Sequence, residues 1–172
     1  MKIGQVHATF LLFICLSFFD VSSSLAQEKD STLRYTKVQS GYLMVLRQGD
    51  NVIEQLERFA QKEHIPSANF TGMGFVNITF GFFDSAKKKF DPQHFKDVEL
   101  ASMQGTIAWQ QGKPSIHLHG VVAGKDFKAY GGHILDGTVG TGSLEIMIIP
   151  HEKKFERVFE EDLGADVLHL KP

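Results

Sequence analysis

Ile116-His117-Leu118-His119-Gly120-Val121-Val122-Ala123, then Gly124-Lys125-Asp126, then Phe127-Lys128-Ala129-Tyr130-Gly131-Gly132-His133-Ile134-Leu135, is the stretch that decides the fold. It reads as two strands around a turn. The next dipeptide, Asp136-Gly137, is a strong hairpin signal, so a third strand is expected from Thr138 to Ile149. Three hairpin-linked strands in a row imply an antiparallel sheet. Upstream, Glu99 to Gln110 alternates as a strand and Gln111-Gly112-Lys113-Pro114 turns it. Ser67 to Asp84 is glycine-punctuated and rich in phenylalanine, again β-like. Tyr42-Leu43-Met44-Val45-Leu46 is almost continuously apolar, as in a strand covered on both faces.

One segment breaks the β pattern. After Gly49-Asp50-Asn51, which offers N-cap chemistry through Asp50 or Asn51, Val52, Leu56, Phe59 and Ala60 recur at helical spacing. Ile65-Pro66 ends the pattern. The predicted class is therefore α+β, a mainly antiparallel sheet with one main helix over about 51–64. Residues 27–40 are read as a polar tail and first strand, 41–150 as the domain, and 151–172 as a charged extension that admits a short helix.

The first 26 residues differ in kind. Lys2 precedes an apolar run from Phe10 to Phe19, and Ser24 and Ala26 are small residues at the spacing a signal peptidase reads. The run is too short to span a bilayer as a helix. A cleaved signal peptide ending at Ala26 is expected, giving a periplasmic or secreted protein without a stable membrane anchor. Cleavage removes Cys15, the single cysteine, which excludes disulfides, thiol catalysis and cysteine-ligated zinc from the mature chain. With 18 Lys+Arg against 20 Asp+Glu, the charge is a poor electrostatic match for nucleic acid. The basic run Lys87-Lys88-Lys89 reads as a solvated turn.

The chemistry-bearing residues are histidines. His117 and His119 are two apart, so on a strand they share a face. His133 lies on the next strand. A strict two-residue turn at Lys125-Asp126 pairs positions summing to 251, which puts His133 on the wrong side of the sheet. A sum of 250 or 252 sets it opposite His117 or His119. Convergence therefore requires a bulge at Gly131-Gly132 or a three-residue turn. Three neutral imidazoles with an open fourth position suit zinc, although nickel, copper and iron also accept imidazole. Glu145 either accepts a hydrogen bond behind the histidines or serves as a general base, or, by Asp136-Gly137 pairing, it is the salt-bridge partner of Lys128. Arg47 either binds an anion near the site or caps the sheet edge. Tyr130 either lines a pocket or packs. His64, His94, His151 and His169 are scattered and read as solvated.

Pro114-Ser115-Ile116-His117-Leu118-His119-Gly120, Gly131-Gly132-His133-Ile134-Leu135-Asp136-Gly137-Thr138-Val139 and Leu144-Glu145-Ile146 together resemble the PPC (plant and prokaryote conserved) domain. Arg47 with Gly49-Asp50, and Ser67-Ala68-Asn69-Phe70-Thr71-Gly72-Met73-Gly74, resemble its earlier half, so the likeness runs from about Gly41 to Pro150. It implies an antiparallel sheet with a helix, a homotrimer, and a metal site, zinc by preference, at the three histidines near the subunit interface. In plants the domain accompanies AT-hooks in nuclear DNA-binding proteins; this chain has neither an AT-hook nor a basic arm. Three readings follow. One is an exported trimeric zinc protein that binds a small ligand or supports metal-dependent chemistry. The second is a DNA-binding protein, and the third a trimer that uses zinc for assembly alone. No motif names a substrate or reaction class. Amino-terminal sequencing of the exported protein is expected to begin at Gln27; an intact Met1 in the exported fraction would overturn the cleavage reading.

Overall fold

The computed structural model describes Met1 and residues 34–170. The export segment expected over 1–26 and the polar tail up to Leu33 therefore lie outside the described residues, apart from Met1. The described chain runs β1 (Tyr35–Val38), β2 (Gly41–Arg47), α1 (Val52–Lys62), β3 (Ser67–Asp84), β4 (Lys89–Gln110), β5 (Lys113–Ala123), β6 (Ala129–His151), β7 (Glu156–Glu160) and β8 (Ala165–His169). The strand pairs are antiparallel, with one parallel bridge between Trp109 and Glu156. This is the α+β class predicted from the residue pattern.

β6 is the spine. One edge pairs with β3 from His133 to His151. The other edge meets β5 at 129–133, Asn51 at Thr138, and β2 at 143–148. Because β3 also pairs with β4, and β4 with β5, strands β3 to β6 close into a ring. Alternate residues face into it, including Phe70, Leu100, Met103, Ile107, Leu118 and Ile134, each at most 2% exposed.

The helix forms where its periodicity predicts and buries the expected face: Val52, Leu56, Phe59 and Ala60. Of the two candidate caps, Asn51 serves, its side chain accepting the Glu54 N–H at 3.1 Å. Asp50 instead accepts the Arg47 N–H at 2.7 Å and pairs with Arg34 at 2.7 Å. At the other end His64 turns left-handed (φ 51°) before Ile65-Pro66. The apolar face joins Met44, Leu46, Ile146 and Ile148 in one buried core. Burying such side chains is worth about 1.5–3 kcal/mol each.

Two expectations are overturned. Asp136-Gly137 is no hairpin; it lies within β6. A type I′ turn needs positive φ at both residues, and neither has it. Tertiary contacts engage the pair instead. Asp136 accepts a hydrogen bond from Asn51 Nδ2 at 2.8 Å, and a Cβ on Gly137 would lie 3.7 Å from Val52 and Ile78. Losing that turn also changes the partners of Glu145, which sits opposite Val45 and Met73; Lys128 pairs with Asp126 at 3.0 Å. The tail beyond His151, for which a short helix was admitted, is the β7–β8 hairpin. Its tip meets the β3–β4 tip: Lys88 Nζ donates to the Glu161 carbonyl, and the Lys88 stem lies against Gly164. Lys87 pairs with Asp84 at 2.6 Å, and all three lysines of the run are exposed, as a solvated turn requires.

Gly105 controls the spacing of β4 against its neighbours. A Cβ there would lie 2.4 Å from the His117 carbonyl oxygen and 2.5 Å from the Phe70 ring. Overpacking of this kind costs about 1–3 kcal/mol. Gly105→Ala is expected to lower the urea midpoint by an amount in that range; an unchanged midpoint would show that the ring opens freely.

Candidate metal centre

Three histidines and a turn build the site. On β5, Leu118 and Gly120 are buried while His117 and His119 are exposed, so strand alternation sends both imidazoles out of the core. Gly124 N–H bonds to the Lys128 carbonyl at 3.2 Å and Phe127 N–H to the Gly124 carbonyl at 2.9 Å. These bonds close a three-residue turn, Lys125-Asp126-Phe127, with Phe127 left-handed at φ 58°. The extra turn residue sets the register to Ala123↔Ala129 and His119↔His133. Of the two devices predicted, the turn supplies the offset, with no bulge at Gly131-Gly132.

The three rings form a near-equilateral triangle, with centroids 5.2, 5.0 and 5.2 Å apart. One ring nitrogen of each lies within 4.8 Å of the others, and no other group of histidines, cysteines and carboxylates among the described residues meets that criterion. His133 Nδ1 and His119 Nε2 are 3.4 Å apart. Two imidazole nitrogens on one tetrahedral zinc, each about 2.0–2.1 Å from it, would be separated by about 3.4 Å. The donor set therefore fits such an ion. Phe90 stacks on His133 with centroids 4.7 Å apart and planes 15° from parallel, which fixes the ring's orientation.

Both protonation shifts favour neutral, ligand-competent imidazoles. Burial pushes His133 down to about 4, helped by the neighbouring His117 and His119. Burial also lowers His117, followed by the charges of Arg157 and His119.

The histidines lie in a groove of about 790 Å³. The β3–β4 hairpin forms one wall with Phe82, Phe83 and Phe90, and the β7–β8 hairpin the other with Arg157, Phe159 and Asp166. Arg157 is 5% exposed. It donates through Nη1 to the Ser115 carbonyl and hydroxyl and through Nη2 to Thr106 Oγ1. Ser115 is two residues before His117 on β5, and Thr106 pairs with His117, so the guanidinium sits beside that histidine. Sequence reasoning missed Arg157. Its one visible signal is a lone arginine in Phe155-Glu156-Arg157-Val158-Phe159.

The other three candidates lie elsewhere. Glu145 is exposed in a separate depression with Met73, Glu99 and Ser143. Arg47 is exposed at the end of β2 opposite Ser143, the edge position. Tyr130 packs its ring 5.0 Å from that of Phe95 and lines no part of the groove. The scattered histidines are also outside it; His94 bonds Thr79 and His169 pairs with Glu160.

An antiparallel ring with three histidines on its outer face defines a class, and the sequence places the chain within it. Residues 33–152 match the Plants and Prokaryotes Conserved (PCC) domain, and the chain belongs to that family, the one its motifs resemble. A solved protein of Ralstonia eutropha JMP134, described as a putative DNA-binding protein, is 49% identical; the match covers 84% of this chain and all of that one, with a TM-score of 0.79. A metal-containing protein of Archaeoglobus fulgidus is 27% identical over 81% and 99% of the two chains, with a TM-score of 0.70. A plant- and prokaryote-conserved protein of Pyrococcus horikoshii is 25% identical over 82% and 98%, with a TM-score of 0.70. No curated protein matches the chain.

Neutral His133 ties stability to pH. In metal-free protein the unfolded chain protonates this imidazole near pH 6.5, the folded chain only near 4. The associated stability is full above pH 6.5 and is lost as the pH falls from there towards 4. Under chelation, the urea midpoint is expected to fall more steeply across that window in the wild type than in His133→Asn. Parallel curves would show that the ring is fully hydrated.

Proposed function

We propose that this protein is an exported, trimeric zinc protein that holds a small molecule at the three-histidine groove. The observation that carries this reading is the convergence of His117, His119 and His133, each offering a nitrogen within 4.8 Å of the others, at the floor of an aromatic-walled groove. That volume lies in the range of small-molecule sites. When bound, zinc on three neutral imidazoles supplies Lewis-acid polarisation of a ligand oxygen at the fourth position. The chain's own part is to keep the imidazoles neutral, hold His133 by stacking on Phe90, and shield one side with aromatic rings. The metal-containing relative from Archaeoglobus fulgidus supports the reading.

The trimer rests on the family resemblance and on the outer face of the sheet. Asn69 faces Ile149 and Met73 faces Glu145 across β3 and β6. Met73 and Ile149 are 60% and 50% exposed, an apolar surface suited to a second copy. By strand pairing, Asn69 lies beside Thr106, and Thr106 beside His117, so this face carries the histidines too. The DNA-binding description belongs to the Ralstonia protein; here the net charge of −2 argues against nucleic acid as the partner.

Metal analysis of purified residues 27–172 is expected to give about one zinc per chain, as one three-histidine site holds one ion, with loss in His133→Ala. An absence of metal in the wild type even after zinc is supplied would overturn the reading.

A further inference from the structure

Arg157 presents an electrostatic problem that the fold itself solves only in part. It is 5% exposed, yet its three hydrogen bonds go to neutral acceptors: the Ser115 carbonyl, the Ser115 hydroxyl and the Thr106 hydroxyl. Among the described residues it forms no ion pair with a carboxylate. Asp166 shares the groove and its charge acts favourably on the guanidinium from a distance, but it is exposed, makes no direct bond to Arg157 and accepts its hydrogen bond from Gln110. A buried guanidinium without a paired anion is costly, and three bonds leave part of its five-donor fork uncommitted. No anion among the described residues bonds this guanidinium directly, and the groove it lines leaves room for one.

The surroundings specify that anion further. A divalent ion on neutral histidines, Arg157 and Asp166 together carry 2 + 1 − 1 = +2, so the groove favours negative charge. Its far walls are apolar, formed by Phe82, Phe83, Phe90 and Phe159. Phe82 and Phe159 are 79% and 55% exposed, leaving aromatic surface that a ligand's body can cover. We propose that the groove binds a small organic carboxylate with an apolar body. The acid group lies between the three-histidine centre and Arg157, and the body lies against the phenylalanines. This rests on the zinc reading for the first of those two contacts; the second belongs to Arg157 alone.

The test is calorimetric titration of the full mature protein, with zinc content measured on the same sample. The probes are phenylacetate, its neutral amide and inorganic phosphate. Phenylacetate is expected to bind about tenfold or more tighter than phenylacetamide, since a charge-assisted hydrogen bond is worth that much. Arg157→Gln is expected to shrink the difference several-fold, leaving only the part due to the metal centre, while zinc content stays unchanged. Arg157 also ties β7 to β4 and β5, so two exposed substitutions keep the test sound if that variant fails to fold. Asp166→Asn removes the competing charge and is expected to tighten phenylacetate about threefold. Phe159→Ser is expected to weaken it about fivefold without moving zinc content.

Equal binding of acid and amide would overturn the inference, as would an affinity indifferent to Asp166→Asn and Phe159→Ser. Phosphate binding as tightly as phenylacetate would overturn the apolar-body assignment. A wild-type chain that takes up no zinc sinks the metal reading instead, and the carboxylate site then stands or falls on the acid–amide difference alone.

Discussion

Side chains on a strand alternate between faces, so a one-residue slip between β5 and β6 would move His133 to the side opposite His117 and His119. The site depends on that register. The turn Lys125-Asp126-Phe127 sets it at the cost of a left-handed phenylalanine, a conformation uncommon for a bulky residue. Stacking of Phe90 on His133 and pairing of His133 with Gly81 as well as His119 then hold the strand from both edges. Local strain in one loop is offset by pairing along the whole of β6.

How much of this was legible follows from how local each signal is. The helix could be read residue by residue because its apolar stripe, its cap and its proline stop lie within one short window. The histidine face of β5 was legible for the same reason, and the need for an odd offset at the turn follows from arithmetic alone. Asp136-Gly137 misled because a turn dipeptide states only what a chain can do locally. Here Asn51 and Val52, more than eighty residues upstream in sequence, engage the pair and keep β6 extended. The same mechanism misplaced Glu145, whose predicted partner followed from the turn that does not form.

The walls of the groove were not legible. Phe90 and Arg157 reach the histidines from hairpins whose approach is set by contacts between distant segments, with no periodic signature in either. A charged tail conceals a buried arginine when composition alone is considered, because burial depends on Ser115 and Thr106 being there to receive it. Conversely, Glu145 stands between the apolar Leu144 and Ile146, yet alternation sends it outward while its neighbours enter the core. Apolar flanks on a strand are the normal surroundings of an outward residue.

The contact between Lys88 and Glu161 joins segments 73 positions apart, and Arg157 reaches Thr106 across 51. Contacts of such separation contribute only after the loop-closure entropy between them has been met. The histidine face, held by the short β5–β6 hairpin, can exist before the β7–β8 hairpin arrives. The register of the imidazoles is thus set by a short local turn, whereas the wall beside them is set by segments distant in sequence.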